Sequence, residues 1–145
     1  CKCSSITVER YMNQISGPLI DRIDIHVEVP PVPWKQLRSE TPGASSADIR
    51  TQVLAIRETQ RQRFGPGTTT TNATMTSQEL RKHCILDTAG ESLLKQAMTE
   101  LGLSARAHDK VLRIGRTIAD LEGAPNIAPH HLAEAIQYRR LDRKL

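Results

Sequence analysis

Aromatic side chains are scarce. Tyr11, Trp34, Phe64 and Tyr138 are the whole complement, 3% of 145 residues. A core must therefore be assembled from Leu, Ile, Val and Ala, which suits packed helices better than a β-sandwich. The same scarcity leaves few rings on which nucleobases could stack. Cysteine is also rare: Cys1, Cys3 and Cys84 make an odd count, which excludes a disulfide framework and fits a reducing, cytoplasmic setting. No apolar run approaches the roughly 20 residues of a membrane span, so no membrane partner is expected. Nor is there a glycine-rich loop followed by Lys and Ser/Thr, or an apolar strand ending in a carboxylate pair. The one glycine-rich stretch, Gly65-Pro66-Gly67, lacks the lysine. By itself the chain is expected neither to hold ATP tightly nor to hydrolyse it, and to carry no bound cofactor.

What is present is a modest basic excess, formally +4, with Lys and Arg spread along the chain. That charge permits contact with nucleic acid or nucleotide phosphates without requiring it. The chain opens on Cys1-Lys2-Cys3 without an initiator Met, the first sign that a fragment is to be expected. Helical spacing of Val8, Tyr11, Met12 and Ile15 predicts a helix over 5–16, punctuated by Gly17-Pro18. A short helical turn covers 19–23. Ile23, Ile25, Val27 and Val29 then alternate with polar residues, the period of a strand that Pro30, Pro31 and Pro33 stop. A lone strand leaves its edges unpaired, so its sheet is expected in upstream chain.

Ser45 or Ser46 can cap a helix over 47–64, with Ile49, Val53, Ile56 and Phe64 on one face and Arg50, Arg57, Arg61 and Arg63 around the rest. The capping box Thr76-x-x-Glu79 opens a short helix to Cys84. Asp87 caps a helix ended by Gly102, and Ser104 caps another ended by Gly123. Pro129 begins the last, which is expected to run to Arg140. Four short-linked helices of this size make one bundle. Cys84 falls at an apolar position and reads as core. His130 and His131 are adjacent, so they read as first-turn surface residues.

Three segments together carry a resemblance: Ile15-Ser16-Gly17-Pro18-Leu19-Ile20-Asp21-Arg22-Ile23-Asp24-Ile25-His26, Gly102-Leu103-Ser104-Ala105-Arg106, and Arg113-Ile114-Gly115-Arg116-Thr117-Ile118-Ala119-Asp120-Leu121-Glu122-Gly123 with Tyr138-Arg139-Arg140 closing. In order and spacing they resemble the C-terminal part of the bacterial Mg-chelatase-like AAA+ ATPases, the competence-associated group of ComM and YifB. The resemblance implies a mainly α chain: a four-helix AAA+ lid bundle, preceded by a helix and one strand left over from the α/β core. It divides the chain into the end of the core at 1–38, a linker with an insertion helix at 39–75, and the lid at 76–145.

The resemblance also assigns residues. Arg22 matches an arginine finger that acts on a neighbouring subunit's ATP, where a planar guanidinium stabilises charge developing on the γ-phosphate. Taken alone, the residue would read as a surface arginine paired with Asp21 or Asp24. Arg106 matches the sensor-2 arginine near the start of a lid helix, serving its own or the neighbour's nucleotide. Lys110, Arg113, Arg57 and Arg61 are further candidates for phosphate or DNA contacts. Cys1 and Cys3 are half of a structural zinc site if further cysteines lie upstream.

For the full-length protein the resemblance implies ATP and Mg2+, a homo-oligomeric ring such as a hexamer built on its own N-terminal core and neighbouring subunits, and DNA as the object of remodelling or branch migration. Two other readings stay open: a stand-alone basic helical module that binds nucleic acid, and a Mg-chelatase subunit acting in porphyrin metallation.

Overall fold

A computed structural model of the chain describes residues 3–12, 14–38 and 43–139. Local chemistry explains most of its helix boundaries. Helix α1 covers Ser5–Met12, α2 Gly17–Ile20, α3 Trp34–Leu37 and α4 Ser46–Phe64. A 3₁₀ turn, Asn72–Thr74, follows. The remaining helices are α5 (Ser77–His83), α6 (Thr88–Leu101), α7 (Ala105–Leu121) and α8 (Pro129–Gln137). Each expected cap is made. Ser45 accepts from the Asp48 N–H at 3.1 Å, Asp87 from Gly90 at 2.7 Å and Ser104 from Ala107 at 3.1 Å. Thr76 and Glu79 satisfy each other's backbone N–H groups, the reciprocal capping box. Gly102 ends α6 in the left-handed region, φ 61°, where a side chain would be strained.

α7 is the axis of the bundle. It packs on α8, α5, the 3₁₀ turn and α4, while α6 packs on α8. The core is aliphatic, as the composition required: Leu80, Leu94, Val111, Ile118, Ile127, Leu132, Ala135 and Ile136, with Met75 and Cys84. Leu132 of α8 shows how tightly the layers meet. A Cβ on Gly90 of α6 would come within 3.2 Å of one of its methyls, and a Cβ on Gly115 of α7 within 3.3 Å of the other. The two glycines let three helices close on one leucine, whose complete burial stabilises the bundle by about 1.5–3 kcal/mol.

Three expectations need correction. The segment proposed as a strand, 23–29, enters no ladder among the described residues, and Ile23, Ile25, Val27 and Val29 are all exposed. A strand needs a partner edge, and the described residues supply none. A backbone bond from the His26 N–H to the Tyr138 carbonyl at 2.8 Å ties it to the bundle. The apolar face of α4 is only partly used: Phe64 packs on the core, but Ile49 and Val53 each keep 50% of their surface exposed. Only the end of α4 reaches α7. Finally, α1 stops at Met12 and α8 at Gln137, earlier than the expected ends; Arg140 lies outside the described residues.

Candidate functional site

The turn after α2 carries Asp21, Arg22, Ile23 and Asp24, and the helical bundle grips it from several sides. Ile20 anchors the turn by burial. Lys110, on the second turn of α7, donates to the Asp21 carbonyl at 2.9 Å and pairs with the Asp24 carboxylate at 2.8 Å. Arg139, fully buried after α8, donates to the Ile23 carbonyl and reaches the Asp24 carbonyl at 3.4 Å. The Asp21 carboxylate accepts the Ser104 hydroxyl at 2.7 Å and lies 3.5 Å from the Arg106 guanidinium. The Ser104 hydrogen bond leads in holding its pKa below the ordinary 3.8. Partial burial opposes that effect, and the Arg106 and Arg139 charges add to it.

The consequence for Arg22 is geometric. Both acids that could have neutralised it are taken by α7, and Arg22 itself is exposed, with no side-chain hydrogen bond or ion pair among the described residues. Arg106, second residue of α7, is also at the surface, its side chain 71% exposed and paired, among the described residues, with Asp21 alone. The two exposed arginines are therefore linked through Asp21, the residue before Arg22. Exposed guanidinium groups can stabilise charge on the phosphates of a ligand brought from outside.

The other sequence candidates do not join them. Lys110 is consumed by the turn, and its side chain is only 13% exposed. Arg113 donates to the Met75 carbonyl at 2.8 Å and ties α7 to the segment before α5. On α4, Arg61 pairs with Glu58 at 2.7 Å while Arg57 is exposed. Cys3 is an exposed free thiol, and Cys1 lies outside the described residues.

Sequence reasoning missed two polar clusters, one buried and one built on a single buried histidine. In the first, Asp120 takes the Arg116 guanidinium at 2.9 Å, the Arg63 guanidinium, and the Asn72 amide at 2.8 Å. Arg116 also donates to the carbonyls of Pro125 at 2.8 Å and Ala124 at 2.6 Å. The cluster locks α4, the 3₁₀ turn and the α7–α8 loop to α7. In the second, His131 is 1% exposed, not at the surface as its sequence position suggested. Its Nδ1 accepts the Ala128 N–H at 2.8 Å, filling the slot of a capping-box glutamate. Nε2 must then carry the proton, which it donates to Glu122 at 2.8 Å. His130 reaches the same carboxylate at 3.0 Å. Glu122, His130 and His131 have the donor atoms of a metal site, but both His131 nitrogens are already committed, so the group acts as a clamp between the ends of α7 and α8. A signal for the first cluster was available in the i, i+4 spacing of Arg116 and Asp120; nothing in the sequence marks the second.

Comparison with known proteins agrees with this architecture. Residues 43–139 match the family model described as magnesium chelatase, subunit ChlI C-terminal, and residues 1–37 match that of magnesium chelatase, subunit ChlI. Among curated proteins, the competence protein ComM of Haemophilus influenzae is 41% identical over 139 residues, 95% of this chain and 26% of ComM. YifB of Escherichia coli is 38% identical over 145 residues, 99% of this chain and 28% of YifB. A Mycobacterium tuberculosis protein is 32% identical over 144 residues, 97% of this chain and 28% of its own length. The chain thus spans about a quarter of the length of the curated relatives it matches.

Proposed function

This chain belongs to the Mg-chelatase-like AAA+ family of ComM and YifB, and from that premise we propose that it is the part of a ring-forming ATPase that brings two arginines to a nucleotide held elsewhere. Arg22 is the arginine finger and acts in trans on a neighbouring subunit's ATP. Arg106 is the sensor-2 arginine of the lid. One observation carries the reading: the lid engages Asp21 and Asp24, the acids flanking Arg22, and leaves the Arg22 guanidinium exposed and uncompensated. A surface arginine with a structural task would be expected to pair with one of them. Because Arg106 contacts Asp21, the residue adjacent to Arg22, whatever engages Arg106, in its own subunit or the neighbour's, bears on the turn that carries Arg22.

In this reading residues 1–38 end the AAA+ core, 39–75 link it through α4, and 76–145 form the lid. ATP and Mg2+ are bound by the full-length protein through the core, which supplies the phosphate loop that these 145 residues lack. Its partners are its own N-terminal core, the neighbouring subunits of a homo-oligomeric ring, and DNA, which the ring remodels in the manner of branch migration in the cytoplasm. Cys1 and Cys3 provide half of a zinc site completed by upstream ligands. DNA is favoured over a porphyrin substrate by Arg50 and Arg57, which are exposed on α4 and free of ion pairs among the described residues.

The test is a subunit-mixing experiment. Full-length protein carrying Arg22→Ala is combined with a phosphate-loop variant that cannot bind ATP. Each alone should be inactive, since a finger contributes about 10³–10⁵ in rate, and the mixture should regain turnover at mixed interfaces. Wild-type turnover by Arg22→Ala alone would refute the assignment.

A further inference from the structure

Asp21 faces two ways. Its side chain is held by Ser104 and Arg106 of the lid, and its backbone carbonyl by Lys110, while its peptide continues directly into Arg22. The Ser104 hydroxyl that donates to it also caps α7 through the Ala107 N–H, so the carboxylate sits over the positive end of a 17-residue helix. Arg106 touches it at 3.5 Å with most of its side chain in solvent. That contact is loose, and the remaining donors of Arg106 point to no other carboxylate among the described residues.

We propose that Asp21 is an internal competitor for Arg106: it holds the arginine when no nucleotide is present and yields it to a nucleoside triphosphate's phosphate, so that occupancy of the nucleotide site is relayed through Asp21 to the turn carrying Arg22. This deepens the proposed function and rests on Arg106 being the nucleotide-sensing arginine. The physics is an exchange of one anion for another. A phosphate offers more charge and more acceptor oxygens than a carboxylate at 3.5 Å, so Arg106 leaves Asp21 when a phosphate arrives. Losing Arg106 strips Asp21 of its closest counter-charge but leaves the Ser104 hydrogen bond. The turn therefore stays docked and becomes freer to adjust. Asp21 is a positioning residue; it needs no contact with the nucleotide.

The test compares Asp21→Asn, Arg106→Ala and the double variant in the full-length protein, reading KM for ATP and kcat separately. The asparagine is isosteric and keeps an acceptor for Ser104, and melting curves verify folding. Asp21→Ala is the second variant should the asparagine misfold, and Asp21→Glu, which retains the charge, should behave as wild type. Arg106→Ala should raise KM. Asp21→Asn should lower it by about two- to five-fold, the scale of an exposed ion pair, and should have no effect on KM once Arg106 is gone. The same KM decrease in both backgrounds would overturn the proposal, because the charge would then act on ATP without Arg106. So would an unchanged or raised KM in Asp21→Asn alongside a raised KM in Arg106→Ala. If Arg106→Ala changes neither KM nor kcat, the underlying assignment of Arg106 falls instead, and the competition falls with it.

Discussion

The Arg116 guanidinium and the Asp120 carboxylate, one turn apart on α7, lie 2.9 Å from each other with both side chains almost entirely inside the bundle. Neither is at a phosphate-binding surface. The pair belongs to one of the three segments that carry the resemblance, and the structure gives it a packing role: Arg116 secures the α7–α8 loop, and Asp120 gathers Arg63 from α4 and Asn72 from the 3₁₀ turn.

Removing one member should therefore be expensive. Asp120→Ala leaves two guanidinium groups facing a buried space without their counter-charge, which typically costs about 3–5 kcal/mol. For a folding unit of this size each kcal/mol shifts the midpoint by about 4–8 °C. The expected outcome is a melting temperature at least 12 °C or so below wild type in a circular-dichroism melt, with α4 released from the bundle. A shift of only a few degrees would mean that water or rearranged side chains replace the carboxylate.

The same carboxylate predicts a pH dependence. Burial pushes the Asp120 pKa up. Hydrogen bonds from Arg63 and Asn72 and the charges of Arg116 and Arg63 outweigh it and hold the pKa below the ordinary 3.8. With the folded value depressed, the stabilisation is fully present above the unfolded value near 3.8. It is lost as pH falls through the folded value. Asp21, Glu79 and Glu122 are depressed in the same sense, so wild type should lose stability below about pH 4. The difference in unfolding free energy between wild type and Asp120→Asn, measured by urea titration, should be constant from pH 7 to 5 and shrink below pH 4. A difference that grows on acidification would reverse the sign and exclude this account.

Much of the helical bundle was legible because its signals are local. Thr76, Glu79, Asp87, Ser104 and Pro129 announce helix starts through chemistry completed within one turn, and the apolar period of α7, Ala107, Val111, Ile114, Ile118 and Leu121, faces the core except at its end, where Leu121 is 57% exposed. What sequence could not show depends on which surfaces meet. Ile49 and Val53 have the spacing of a buried stripe, but no other described element covers them. Arg116, Arg139 and His131 are residue types that belong at the surface until a fold supplies every partner. The candidate site lay between these cases. The motif identified Arg22 and Arg106, while the role of Asp21 in joining them required the distances.

Cys84 offers a probe of the core. Burial between α5 and α7 pushes its thiol up to about 11 from the ordinary 9.0, and the thiol faces the Leu112 carbonyl at 3.8 Å. The thiolate is the reactive form. At pH 8 the shift alone lowers its thiolate fraction by about 100-fold relative to an unperturbed thiol, and burial excludes the reagent as well. Iodoacetamide followed by mass spectrometry should label Cys3 within minutes and Cys84 only on the timescale of bundle opening. Asp120→Ala should speed Cys84 labelling. Equal rates for Cys3 and Cys84 in the wild-type chain would show that the α5–α7 contact is open.

The exposed arginines of α4 yield the last prediction. Arg50 and Arg57 are two helical turns apart, so they project from one side, and Arg61 follows Arg57 at i+4 on that side, partly offset by Glu58. Phosphate contacts of this kind make affinity fall with salt, with a slope of about −0.9 per phosphate neutralised on duplex DNA. If α4 tracks a DNA backbone in the proposed ring, Arg50→Ala and Arg57→Ala should each flatten the slope of log K against log salt by roughly one unit. They should weaken binding to unrelated sequences equally, since phosphates carry no sequence information. Arg61→Ala should do less, because Glu58 already competes for that guanidinium. Arg63→Ala should act through stability instead, since its charge is spent on Asp120. Fluorescence anisotropy of the full-length protein on two unrelated duplexes, across a salt series, separates these effects. Unchanged slopes in Arg50→Ala and Arg57→Ala would remove α4 from the DNA path.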